Sequence, residues 1–122
     1  MDIAAFWRDT LEQNRTALHA YFTDDAKIFW HCSNEEFSVD EFKRANCDYP
    51  GEWDGTIERI EETDDKIITV VNVYPKDRSA SFHVVSFFKL KNGLIERLDE
   101  YWADDAEPPE WRKKMSIGKP IR

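Results

Sequence analysis

The segment Arg97–Asp105, RLDEYWADD, contains the residue of this chain best suited to acid–base chemistry. In a β-strand alternate side chains face opposite sides, so Leu98, Glu100 and Trp102 would share one face. A carboxyl group between a leucine and a tryptophan is desolvated, which raises its pKa. Such a group can give or take a proton near neutral pH, so Glu100 is the candidate catalytic residue. The alternative is a structural carboxylate, paired with an arginine or hydrogen-bonded to an indole N–H.

A second set of residues could form a pocket for a flat, mostly apolar molecule. Aromatic side chains supply the walls of such a pocket, and a few amides or hydroxyls fix the orientation of the ligand. For each tryptophan taken alone, packing in the core is the alternative. The candidate ligand-binding residues are Asn14, Trp30, Asn34, Phe42, Asn46, Tyr49, Trp53, Ser86 and Trp102.

The histidines and cysteines offer no metal site. His31 and His83 each flank an inward position, so by alternation both point towards the outer face of a sheet. Neither has a metal-ligand partner at helical or strand spacing, and we predict no bound metal. Cys32 and Cys47 form no CxxC motif, and we expect both to be free thiols.

Charge and composition exclude several classes of partner. The 122 residues carry a formal charge of −8, and five of the 17 basic residues lie between Arg112 and Arg122. The preceding residues hold all 25 acidic side chains and would repel phosphate backbones, so we expect no nucleic-acid partner. No apolar stretch is long enough to cross a membrane, and the N-terminus does not resemble a signal peptide. We therefore expect a cytoplasmic protein with a solvated basic tail.

The periodicity of apolar residues predicts the elements that position these side chains. One helix is predicted over 3–22 and a short strand within 23–32. Ser38 and Glu41 form a capping box for a helix over 38–48. Four strands at 55–62, 66–74, 81–90 and 94–102 follow, joined by short turns that imply antiparallel hairpins. A single turn of helix is predicted after Pro108-Pro109. This order is typical of an α+β domain spanning 1–122.

The predicted strand at 82–88, FHVVSFF, has apolar residues on both faces and therefore needs a cover on each side. The helices supply one cover. In a domain of this size the second cover is most simply another subunit, so we predict a homodimer through the outer sheet face.

Several segments resemble the nuclear transport factor 2-like (NTF2-like) superfamily, which includes ketosteroid isomerases, limonene epoxide hydrolases and SnoaL-like polyketide cyclases. KNGLIERLDEYWAD is similar to the final strand of that superfamily. FWHCSNEEF, ANCDYPGEWDG, SFHVVSFFKL and DEYWADDAEPPEWR are similar to a bacterial SnoaL-like family. The resemblance implies a cone-shaped, curved antiparallel sheet with N-terminal helices packed on its concave face. It also implies a deep pocket and no metal or organic cofactor.

The resemblance places Glu100 where the epoxide hydrolases carry a catalytic aspartate. The strand IITVVNVY carries no charge, so the other acids of that hydrolase site are missing. Three hypotheses remain for function. The first is binding of a small apolar or aromatic ligand. The second is cofactor-independent isomerisation, cyclisation or hydration with Glu100 as acid or base, and the third is a non-catalytic dimeric accessory protein.

Overall fold

Four helices and six strands make up the chain in the computed structural model, which describes residues 1–122. They follow in the order α1 (Ile3–Leu11), α2 (Arg15–His19), β1 (Phe22–Trp30), β2 (Glu35–Ser38), α3 (Val39–Cys47), β3 (Trp53–Glu62), β4 (Lys66–Pro75), β5 (Phe82–Lys91), β6 (Leu94–Asp104) and α4 (Glu110–Lys113). A short 3-10 turn over His31–Ser33 connects β1 to β2. The predicted α+β class is confirmed.

The six strands form one curved, open sheet in the order β2-β1-β6-β5-β4-β3. The hairpins predicted between the last four strands are present and antiparallel. The sheet is antiparallel except for one pair, in which β1 runs parallel to β6. β1 and β6 are far apart in the sequence, and a parallel pair needs a long connection, which β2, α3 and β3 to β5 supply.

The single helix predicted over 3–22 is wrong, because the chain turns at Gln13 and Asn14. Gln13 has a φ of 57°, which ends the helical path after α1. The side chain of Asn14 accepts a hydrogen bond from the backbone N–H of Ala17 at 3.2 Å and caps α2. An asparagine that caps a helix competes with the backbone bonds of a continuous helix, so the amphipathic stripe was misleading here. The chain is already extended at Phe22, where β1 begins.

Helix α3 starts at the predicted capping box. Ser38 accepts from the backbone N–H of Glu41 at 3.2 Å, and Glu41 accepts from the backbone N–H of Ser38 at 2.9 Å. Phe37 and Phe42, on either side of this start, both contact the ring of Trp30 edge-on. The cap and the two phenylalanines thus fix α3 against the inner face of β1.

The hydrophobic core lies between α1, α2 and α3 and the inner face of the sheet. Phe6 is fully buried at its centre and meets the rings of Trp7, Tyr21, Phe22 and Phe88 edge-on. Sixteen buried apolar residues form this single cluster. The packing confirms that the helices cover one face of the sheet and leave the other face uncovered.

The outer face of the sheet is partly apolar. Phe87 and Tyr101 are each 43% exposed on this face. Arg97 lies over the ring of Phe29 with 4.0 Å between the guanidinium carbon and the ring centroid, and it binds Asp99 through two hydrogen bonds. The homodimer through this face stays a prediction.

The C-terminal segment leaves the sheet after β6. Every residue from Asp105 to Arg122 is exposed, and Trp111 is 63% exposed. The single helical turn predicted after the two prolines is present as α4. No helix of the chain has the length and apolar character that crossing a membrane requires.

Candidate functional site

Glu100 lies on the inner face of the sheet, as predicted, and is 3% exposed. Its two cross-strand neighbours on β1 and β5 are Trp30 and Ser86. The indole N–H of Trp30 donates to its carboxylate at 3.1 Å, and the hydroxyl of Ser86 donates at 2.6 Å. Because all three residues are in register on adjacent strands, the sheet itself brings the donors to the acid.

The buried polar residues of the inner face form one row across the sheet. Thr69 on β4 pairs with Ser86, and Ser86 pairs with Glu100. Thr69 accepts from the indole N–H of Trp7 at 3.1 Å. This polar row, Thr69, Ser86 and Glu100, therefore anchors the indoles of Trp7 and Trp30 from below.

The pKa of Glu100 is raised above its ordinary value of 4.5, because burial disfavours the charged carboxylate. The hydroxyl of Ser86 and then the indole groups of Trp30 and Trp102 oppose this effect. The indole nitrogen of Trp102 is itself buried and has no partner at hydrogen-bonding geometry.

An open cavity of about 390 Å³ lies between α1, α3 and the inner face of the sheet. Most of its 15 lining residues are hydrophobic, six of them aromatic, and two carboxylates and several uncharged polar groups complete the walls. The lining residues are Trp7, Thr10, Leu11, Gln13, Trp30, Cys32, Ser33, Glu35, Asn46, Tyr49, Trp53, Val73, Phe82, Trp102 and Asp104.

Five of the candidate residues from the sequence line this cavity: Trp30, Asn46, Tyr49, Trp53 and Trp102. Five do not: Asn14, Asn34, Phe42, Ser86 and Glu100. For the five residues that line the cavity, a role in ligand binding remains a prediction. The other five lie elsewhere in the structure.

The five residues outside the cavity have structural positions instead. Asn14 is exposed and caps α2, while Asn34 is exposed at the end of the 3-10 turn with a φ of 59°. Phe42 is buried in the core at 1% exposure. Ser86 and Glu100 belong to the polar row beneath the aromatic wall. A strand pattern shows which face a side chain occupies, but it does not show whether a larger neighbour covers it.

Ten lining residues were not singled out from the sequence. Trp7 and Leu11 lie on the apolar stripe of α1, so that stripe was the available signal for both. Val73, Phe82 and Asp104 are cross-strand neighbours on β4, β5 and β6, and strand alternation would place them together once the register is known. Glu35 lies on β2, a four-residue strand with no clear periodicity.

The amide groups at the cavity donate their hydrogens within the protein. The side-chain nitrogen of Gln13 donates to the carbonyls of Asn46 and Tyr49 at 3.0 and 2.8 Å. The side-chain nitrogen of Asn46 donates to the carbonyl of Thr10 at 2.9 Å. Because carbonyl oxygens are acceptors only, these contacts fix the amide orientations. The side-chain oxygens of both amides accept no hydrogen bond from the protein.

His31 and His83 lie outside the cavity. His31 stacks on Tyr101, with 4.4 Å between ring centroids, and its Nε2 is 2.7 Å from Asp99. His83 lies between Asp105 and Glu58, and the hydrogen bond with Asp105 is the main cause of its raised pKa. No three side chains of the histidine, cysteine and acidic types come together as metal ligands, and both cysteines are free.

Solved structures with the same fold identify the architecture. No protein-family model and no curated protein matches the sequence. A proposed ketosteroid isomerase from Kribbella flavida DSM 17836 superposes with a TM-score of 0.78 at 23% identity, covering 97% of this chain and 87% of that one. An NTF2-like protein of unknown function from Burkholderia xenovorans LB400 gives a TM-score of 0.78 at 21% identity, covering 97% and 91%.

The chain has the NTF2-like fold. Structures described as SnoaL-like polyketide cyclases share it. A protein from Catenulispora acidiphila DSM 44928 with a ketosteroid isomerase-like fold, in complex with trimethylamine, gives a TM-score of 0.65 at 15% identity, covering 82% of this chain and 84% of that one. The resemblance inferred from the final strand is confirmed at the level of fold.

Proposed function

We propose that this protein binds a small, largely apolar organic molecule in the cavity between its helices and its sheet. The supporting observation is the lining: four tryptophans, Trp7, Trp30, Trp53 and Trp102, surround about 390 Å³ of open space. That volume is within the usual range of small-molecule sites. The protein with a ketosteroid isomerase-like fold from Catenulispora acidiphila DSM 44928 is in complex with trimethylamine, so another chain of similar fold accommodates a small organic molecule.

Three of the four indoles of this wall are held in place by hydrogen bonds within the protein. Trp7 and Trp30 are tied to the polar row, and the N–H of Trp53 donates to the carbonyl of Pro50 at 3.0 Å. The ring of Trp53 also contacts Tyr49 and Phe82. A wall that is ordered before binding loses little conformational entropy on binding, which favours affinity.

A variant whose cavity is filled by a larger side chain tests the proposed binding. Val73 is 3% exposed and lines the cavity, so Val73→Phe should occupy the space that a ligand needs. Small neutral aromatic and cyclic compounds should raise the melting temperature of the wild type, since a ligand selective for the native state stabilises it. They should not raise that of Val73→Phe. The matched control is Val70→Phe, three residues away on the opposite face of β4.

Tryptophan fluorescence supplies a second readout, because four of the five tryptophans line the cavity. Trp111→Phe removes the exposed fifth one. If Val73→Phe does not fold, Ser33→Trp obstructs the cavity from an exposed position. Compounds that stabilise the wild type and the blocked variants equally would contradict binding in the cavity.

Acid–base catalysis by Glu100 is the second candidate function, favoured by the raised pKa of its carboxyl group. It ranks below ligand binding because the carboxylate contacts Trp30 and Ser86 and does not line the cavity. Turnover that is lost in Glu100→Gln, while the melting-temperature shift with the same compound is kept, would establish an enzyme. Unchanged turnover in Glu100→Gln would exclude this role.

A further inference from the structure

We propose, on the basis of the binding function above, that the cavity selects a small organic cation: a tertiary or quaternary ammonium group attached to an apolar body. The rings, the charges and the hydrogen-bonding groups of the lining each favour this class of ligand.

The aromatic wall presents ring surfaces and not indole donors. Trp7, Trp30 and Trp53 donate their N–H groups to Thr69, Glu100 and Pro50, and the N–H of Trp102 is buried. The negative face of an aromatic ring attracts a cation, most strongly for tryptophan and in a desolvated site. A neutral apolar ligand gains only burial against the same rings.

The charged groups of the cavity are all acidic. Glu35 and Asp104 are among its 15 lining residues, which include no lysine, arginine or histidine. Glu35 is at the β2 side of the cavity and Asp104 is at the end of β6, so the two carboxylates come from separate strands. A carboxylate or phosphate ligand would meet two negative charges without a cationic partner.

The two amide side chains of the cavity offer acceptors. Both hydrogens of the Gln13 amide and one of the Asn46 amide are donated to backbone carbonyls, as described above. The side-chain oxygens of Gln13 and Asn46 are left to accept. The hydroxyl of Thr10 donates to the carbonyl of Phe6 at 2.7 Å. A protonated tertiary amine has one N–H donor and a positive charge, which suits a site of this composition.

A pair of probes with the same shape and different charge tests the proposal. Phenyltrimethylammonium carries a trimethylammonium group, and tert-butylbenzene carries its neutral carbon counterpart. We expect the cation to quench tryptophan fluorescence of the Trp111→Phe protein with an affinity at least about tenfold higher than that of the neutral probe. The affinity of the cation should also fall as ionic strength rises.

Variants of Glu35 and Asp104 test whether these two carboxylates cause the preference for the cation. Glu35→Gln and Asp104→Asn should each weaken the cation several-fold and leave the neutral probe unchanged. The control Glu36→Gln removes an exposed carboxylate on the same strand that does not line the cavity, and it should change neither affinity. Equal affinities for the two probes in the wild type would overturn the selection of a cation and leave the binding function standing. Binding of neither probe would overturn both.

Discussion

Glu100 illustrates how a buried acid can shape a cavity without lining it. Its carboxylate accepts from Trp30 on β1 and from Ser86 on β5, and it thereby fixes the orientation of an indole that lines the cavity. The acid is thus a positioning residue for the aromatic wall. Loss of one partner would leave a buried polar group unsatisfied, which typically costs about 1–3 kcal/mol.

The raised pKa of Glu100 predicts a pH dependence of stability. In the unfolded chain the acid titrates near 4.5, and in the folded chain its pKa is higher. At a pH between these two pKa values, Glu100 is protonated in the folded state and deprotonated in the unfolded state. Protonated Glu100 therefore contributes its full stabilisation below the pKa of the unfolded chain. This stabilisation is lost as the pH rises through the higher pKa of the folded chain, by at most about 1.4 kcal/mol per pH unit.

Glu100→Gln resembles the protonated acid and should remove this loss. Measured by urea unfolding between pH 4 and pH 8, the stability of the variant relative to wild type should increase with pH. Glu96→Gln is the control, because Glu96 lies on the same strand and its carboxylate pairs with Lys89 at the surface. A constant difference between Glu100→Gln and wild type across this range would refute the shift.

The sequence predicted the position of a single residue correctly where that position depends only on which face of its strand the side chain occupies. The inward face of Glu100 followed from the alternation of Leu98, Glu100 and Trp102. Its separation from the cavity did not follow, since that depends on Trp30 from a strand about 70 residues away in sequence. Which residues face each other across two strands depends on the register of the strands, and the residue pattern of one strand does not determine that register.

At the scale of elements, local signals predicted the boundaries that depend on local hydrogen bonds. The capping box at Ser38 placed the start of α3 correctly because both bonds form within four residues. The break between α1 and α2 was missed because an apolar stripe continues across it. Asn14 was therefore taken as a candidate ligand-binding residue and not as a cap, although asparagine is among the best N-cap residues.

Asn14→Ala distinguishes the two roles considered for this residue. Loss of the N-cap of α2 should lower the free energy of unfolding by about 1 kcal/mol, as measured by chemical denaturation. Because the side chain is exposed and outside the cavity, the affinity for phenyltrimethylammonium should not change. Thr16→Ala, at another exposed position of α2, should stay within about 0.5 kcal/mol of wild type. Weaker probe binding without a loss of stability would restore Asn14 to the site.

At the scale of the whole molecule, the two faces of the sheet have different character. The inner face is covered by three helices and carries the core and the cavity. The outer face has no cover within the chain, and Ile68, Val70, Val85, Phe87 and Tyr101 are apolar positions on it. Arg97 and Asp99 lie beside these positions on β6 and bind each other.

The predicted homodimer can be tested by charging this face. Sedimentation equilibrium should give a dimer for the wild type at micromolar concentration. Phe87→Lys should give a monomer, because a charge at the centre of an apolar contact must be desolvated without a partner. Ile121→Lys is the control, since Ile121 is 89% exposed in the C-terminal segment away from the sheet. A monomeric wild type would contradict the prediction directly.

The parallel pairing of β1 with β6 also affects how this protein folds while it is being synthesised. Residues 22–30 are made before one of their two hydrogen-bonding partners, residues 94–104, because β2 to β5 lie between them in the sequence. Until then β1 has an unpaired edge, and the apolar side chains of Phe22 and Ile28 lack the strand that completes their layer. Non-local pairing of this kind slows folding and exposes strand edges to association. A nascent chain that stalls before Leu94 should therefore depend on chaperones far more than the finished protein does.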